Sequence, residues 1–112
     1  MLKDFRAYQL SVQFYKVCEK VRGPIHLRDQ LLRSSSSITL NLAEGSEGAS
    51  LQNRRRFYRI AMGSLRESQA ILDLMPESEL QANAARLGQT LGGYVFRLCQ
   101  VLNAHPGPSP ES

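Results

Sequence analysis

The chain has no tryptophan, two histidines and two cysteines, and each shortage removes a class of chemistry. Cys18 and Cys99 are too far apart for a C-x-x-C redox pair or a zinc-ligand spacing, and two cysteines make no disulfide framework, so both read as small buried apolar residues. A carboxylate-bridged di-metal bundle needs a glutamate followed three residues later by histidine, and neither His26 nor His105 completes that pattern. No nucleophile, base and orienting group can be assembled into a set, and there is no phosphate-cradling loop of the G-x-x-x-x-G-K type. The expectation is a protein that is not an enzyme, with no metal, no cofactor and no identified small-molecule substrate. No apolar run approaches the roughly 18 residues of a membrane span, and the stretch Met1 to Arg6 lacks the apolar centre of a secretion signal, which places the protein in the cytoplasm. Sustained alternation of apolar and polar residues is also missing, which excludes a sheet.

What is present fits one domain. A length of 112 residues supports a single hydrophobic core, and 42% hydrophobic against 21% charged residues is too apolar for a disordered chain. Fourteen Lys and Arg against ten Asp and Glu give a net charge of +4, which permits an anionic partner without requiring one. Only three of the basic residues are lysine, and the arginine excess favours forked contacts to phosphate or carboxylate.

Taking about 100° per residue, the pattern predicts four helices. The first, from Phe5 to Arg22, carries two apolar arcs: Phe5, Tyr8, Val12 and Tyr15 on one, and Leu10, Phe14, Val17, Cys18 and Val21 on the other. Two arcs need two covering surfaces, one in the subunit and one on a neighbouring copy, so Leu10, Phe14, Val17 and Val21 are candidates for an oligomer interface. Gly23-Pro24 stops this helix. The second helix, Ile25 to Glu44, aligns Leu27, Leu31, Ser34, Ser35, Ile38, Asn41 and Leu42, with Gly45 expected in a left-handed C-terminal position. Its serines read as small core-facing residues that let another helix come close while their hydroxyls bond back to carbonyls one turn earlier. The third runs from an N-cap at Ser50 to Met75 and buries an arc from Phe57 through Ala61, Ser64, Leu65, Ser68, Ile71 and Leu72. Gly63 lies off that arc, where close backbone contact would justify it. After Pro76, Ser78-x-x-Gln81 forms a capping box that opens the fourth helix, striped by Leu80, Leu87, Leu91, Tyr94, Val95, Leu98, Val101 and Leu102. Short connections then imply an all-α, antiparallel, up-down-up-down four-helix bundle over residues 1–103, followed by a disordered Pro/Gly-rich tail at 104–112.

Two submotifs, N-x-A-E-G at Asn41 to Gly45 and I-A-x-G-S at Ile60 to Ser64, sit within the runs S-I-T-L-N-L-A-E-G and R-F-Y-R-I-A-M-G-S-L-R-E. In these runs the chain resembles the four-helix-bundle proteins encoded by intervening sequences in bacterial 23S ribosomal RNA genes, and its fold is similar to that of the accessory variability determinants of diversity-generating retroelements. The resemblance extends more loosely from Leu2 to Gln100. It departs from the usual pattern at Ser46 to Ala49, which holds no basic residue, and at Asn53 and Arg54, where an acidic and an aromatic residue are usual. It implies a left-handed antiparallel bundle assembling into a ring-like homo-oligomer, typically a homopentamer, with a positive surface. For some relatives it implies association with ribosomal RNA or a reverse transcriptase.

Arg55, Arg59 and Arg66 fall within about 40° of one another on the third helix, opposite its apolar arc, and form a stripe able to follow a phosphate backbone. Arg54 and Arg56 stand at the helix start, where positive charge opposes the helix dipole and an external anion would relieve it. The competing reading leaves these arginines solvated or paired with carboxylates. Asn41 reads as a structural amide bonded to a neighbouring helix, and Glu44 as the partner of an arginine. Most aromatics occur at core spacing; Tyr58 and Phe96 stray from it and become candidates for subunit contacts. The leading function is binding of RNA or a ribonucleoprotein through the basic surface of an oligomer. The alternative is a protein-interaction scaffold with no nucleic-acid role, and a third option is a bundle that holds a ligand in an unrecognised pocket.

Overall fold

Proline, glycine and serine punctuate the described residues into four α-helices: α1 (Arg6–Cys18), α2 (Ile25–Glu44), α3 (Leu51–Leu74) and α4 (Glu79–Ala104). The computed structural model describes residues 2, 5–46 and 49–104, with the backbone alone at 103 and 104, and among these residues there is no strand. The loop reading at Glu47 and Gly48, and the tail reading at 105–112, lie outside the described residues. α4 runs through Ala104, one residue past the expected boundary.

Pro24 precedes α2, whose limits are those the periodicity predicts. Ser50 caps α3 by accepting the Asn53 N–H at 3.2 Å, and Ser78 accepts the Gln81 N–H at 3.0 Å. The second arm of the expected capping box is redirected, because the Gln81 side chain donates to the Leu72 carbonyl at 2.9 Å and ties the start of α4 to the end of α3. α1 ends a turn earlier than expected. Lys20 and Val21 donate to the Val17 and Cys18 carbonyls, tightening the last turn and swinging Val21 into the core, while Arg28 of α2 caps the Glu19 carbonyl at 3.3 Å.

Each helix has two neighbours: α1 packs on α2 and α4, and α3 packs on α2 and α4, with the α2–α3 seam the most extensive. Phe14, Leu31, Ile38, Leu42, Leu65, Leu72, Leu91 and Val95 are sealed in the shared interior. Each such side chain contributes about 1.5–3 kcal/mol of transfer free energy. Along the α2–α3 seam the predicted small residues meet directly, with Ser34 and Ser68 hydroxyls 2.7 Å apart and Ser37 and Ser64 hydroxyls 2.8 Å apart. Thr39 donates to Ser11 at 2.9 Å across the α1–α2 contact. Ser34 and Ser68 also lie within reach of the Leu31 and Ser64 carbonyls one turn earlier, so one hydroxyl donates back along its helix while the other donates across the seam.

Packing overturns several of the sequence expectations. Leu10, Phe14 and Val21 are at most 3% exposed and Val17 packs beside them, so this arc belongs to the subunit's own core and is not available to a neighbouring copy. The reason is that α1 lies against both α2 and α4, which cover it from two sides; the flank left half-exposed is Tyr8, Val12 and Tyr15. Tyr58 is likewise buried, whereas Phe96 remains 49% exposed. Gly45 is right-handed (φ −84°), and the need for glycine is steric: a Cβ there would stand 2.6 Å from Cε1 of Tyr58.

Gly63 has no close neighbour, contrary to the expected backbone contact, and stands exposed on α3. Gly63→Ala is therefore expected to stabilise the protein by about 0.5–1 kcal/mol through helix propensity alone. A urea melt followed by circular dichroism checks this, and a lower midpoint would show that an unseen contact occupies the site.

Candidate nucleic-acid interface

The basic residues of α3 divide into those the fold holds and those it presents. Arg55 is half-buried, and its Nε donates to the Leu102 carbonyl at 3.0 Å. That carbonyl belongs to the last turn of α4, where carbonyls lack helical partners and a positive charge complements the helix dipole. Arg55 is thus a cap for the end of α4. Arg54 is half-buried too, with one terminal nitrogen donating to the Ser46 carbonyl at 3.1 Å. Its Nε is shielded from solvent and has no acceptor.

Arg56, Arg59 and Arg66 are exposed. Arg56 lies 5.6 Å from the Phe57 ring centre, a cation–π distance. Arg59 and Arg66 both act on the Cys99 thiol of α4: burial pushes that thiol up and the two guanidiniums pull it back. The stripe predicted from periodicity therefore runs along the side of α3 that faces α4. Cys18 differs, since burial alone raises its thiol to about 12, leaving it an un-ionised core group at neutral pH.

Two further arginines join the set without a signal in the sequence. Arg97 of α4 sits 4.7 Å above the Tyr94 ring, and Arg6 opens α1 with a long contact to Gln9 at 3.5 Å. With Arg54 they border a cleft of about 550 Å³ where the starts of α1 and α3 meet the end of α4, walled by Phe5, Tyr58 and Tyr94. Positions 6, 54 and 97 share no local pattern, and only packing of three helices brings them together.

The motif residues Asn41, Glu44, Gly45, Gly63 and Ser64 do not converge on a reactive centre. Asn41 donates to the Ser37 carbonyl at 2.8 Å and to the Ser37 hydroxyl at 3.1 Å, and that hydroxyl meets Ser64. The expected bond to a neighbouring helix is thus relayed through a serine of its own helix. Gly45 lies under Tyr58 and Phe57 of α3, and Glu44 is exposed. Asn41, Gly45 and Ser64 are parts of the α2–α3 seam.

Among the described residues no helix is long and apolar enough to cross a membrane. Residues 5–87 match the family model described as 23S rRNA-intervening sequence protein, a span reaching from the residue before α1 into α4. No curated protein matches the chain.

Proposed function

Because the chain belongs to the family of 23S rRNA-intervening sequence proteins, we propose that it is a cytoplasmic, non-enzymatic protein whose antiparallel helical bundles assemble into a ring-like homo-oligomer, a homopentamer, that binds RNA. The observation that carries the reading is the placement of Arg59 and Arg66 on one exposed side of α3, beside the half-buried Arg54 and Arg55. Guanidiniums held at one face release counterions from a phosphate backbone and bind it with little regard to sequence. Repeating the face around a ring multiplies a subunit charge of +4 into a field strong enough to steer RNA.

The test leaves Arg55 alone, since its bond to Leu102 supports α4. In the double variant Arg59→Glu/Arg66→Glu, affinity for a structured RNA is expected to fall at least tenfold at about 0.1 M salt, with the slope of log K against log salt reduced by about two units. Equal binding and equal slope for both proteins would remove the RNA reading.

A second reading, a scaffold that binds only protein, draws on Leu40, Ile60, Phe96 and Val101, apolar side chains between 40% and 63% exposed. The salt titration separates the two, because a scaffold shows no salt-dependent RNA binding while light scattering on the same samples still finds its assembled mass.

A further inference from the structure

We propose that the cleft between the starts of α1 and α3 and the end of α4 receives one unpaired ribonucleotide of a bound RNA, with its base against the aromatic wall and its flanking phosphates on Arg6, Arg54 and Arg97. This rests on the RNA reading above and says where on the protein a strand leaves its helix.

Size comes first. A volume of about 550 Å³ accommodates a nucleoside with its phosphate and falls within the usual range of small-molecule sites. The walls are mostly apolar, and among the described residues the lining includes three guanidiniums and no carboxylate. A ligand for such a cleft must be anionic at its edges and flat and apolar in its body. An acyl carboxylate would engage one arginine and leave the others without an acceptor. A nucleotide within a chain has a phosphate on each side of its sugar and matches the spread of charge.

Chemistry of the wall points the same way. Arg97 lies over the Tyr94 ring at 4.7 Å, so a guanidinium plane and an aromatic face already form a two-layer stack that a base can extend. Phe5 and Tyr58 rings, 6.2 Å apart, line the same cleft. Arg54 borders the cleft with one terminal nitrogen anchored by the Ser46 carbonyl, so its guanidinium is already held in place for a phosphate at the rim. Burial raises the Tyr58 hydroxyl while Arg54 lowers it, which places the charge beside the phenol.

Paired bases cannot use this cleft. In a duplex each base is stacked on both faces and its ring cannot enter a side-chain wall, whereas a bulged or single-stranded base can be splayed out and stacked on aromatic and arginine planes. The basic stripe leads there: Arg55 follows Arg54 and is fixed to Leu102 at the rim, and Arg59 and Arg66 continue along α3, reaching about 16 Å from Arg55 at the helical rise.

The experiment is fluorescence anisotropy at one salt concentration with two labelled RNA hairpins of the same stem, one fully paired and one with a single-nucleotide bulge. Wild type is expected to bind the bulged hairpin about tenfold more tightly, the size of effect that one stacked base supplies. Tyr94→Leu is expected to erase that preference while leaving affinity for the paired hairpin unchanged, and Arg54→Gln to erase it while weakening both hairpins by no more than one lost phosphate contact. Arg97→Gln, an exposed position whose replacement does not disturb the core, is the control should Tyr94→Leu melt early, and it is expected to reduce the preference as well. If wild type binds both hairpins equally while Arg59→Glu/Arg66→Glu weakens both, the cleft assignment is overturned and the RNA reading stands. Binding to neither hairpin overturns both.

Discussion

Phe14→Ala is expected to lower the free energy of unfolding by about 3–5 kcal/mol, the cost of deleting a phenyl ring from a closed core. The ring has no exposed surface, and it lies so close to α4 that a Cβ at Gly88 would stand 3.1 Å from its Cε1. α1 has 13 residues, a length at which a helix is marginal in water without tertiary packing, so the loss falls on the element least able to persist alone. Against a usual total of about 5–15 kcal/mol, much of the variant would be unfolded at moderate temperature. Urea titration at two protein concentrations tenfold apart is the check. A core residue gives the same destabilisation at both; a normal midpoint accompanied by loss of assembled mass would return Phe14 to a subunit interface.

The second large effect is at the serine seam. Ser68→Leu is expected to destabilise by about 1–3 kcal/mol, because a leucine must be forced between two helices that approach across hydroxyls 2.7 Å apart. Ser68→Ala is expected to change stability by less than about 1 kcal/mol, since Ser34 keeps the Leu31 carbonyl as its acceptor and no buried donor is stranded. The contrast is the test: thermal melts of both variants should order leucine well below alanine. Equal melting temperatures would mean that close approach is not what the small residues at positions 34, 37, 64 and 68 provide.

Much of the architecture was legible because it is written at short range. The limits of α2, the caps at Ser50 and Ser78, and the inward phase of Leu31, Ile38, Leu42, Leu65 and Leu72 depend on neighbours within about one turn or on period 3.6. The small-residue reading of Ser34 and Ser35 also follows from phase, since leucines on either side keep the register through the serine run. Less could be read of the candidate site. The periodic stripe on α3 was visible, but Arg55 on that stripe is engaged by a carbonyl 47 positions away, and nothing near Arg55 announces it. Gly45 was identified as special for the wrong physical reason: its backbone is ordinary, and the constraint comes from the Tyr58 ring on another helix.

The amino-acid order by itself determined that the described residues make four α-helices, where most of them start and stop, and which side of α2, α3 and α4 turns inward. Those properties follow from backbone hydrogen bonding and side-chain spacing, which are settled within a few residues. Only the tertiary structure decided which of the two apolar arcs on α1 is interior, which arginines are tied to carbonyls, and that Arg6, Arg54 and Arg97 border one cleft. An amphipathic helix specifies that a face must be covered, and the covering partner is chosen by how whole helices pack against one another.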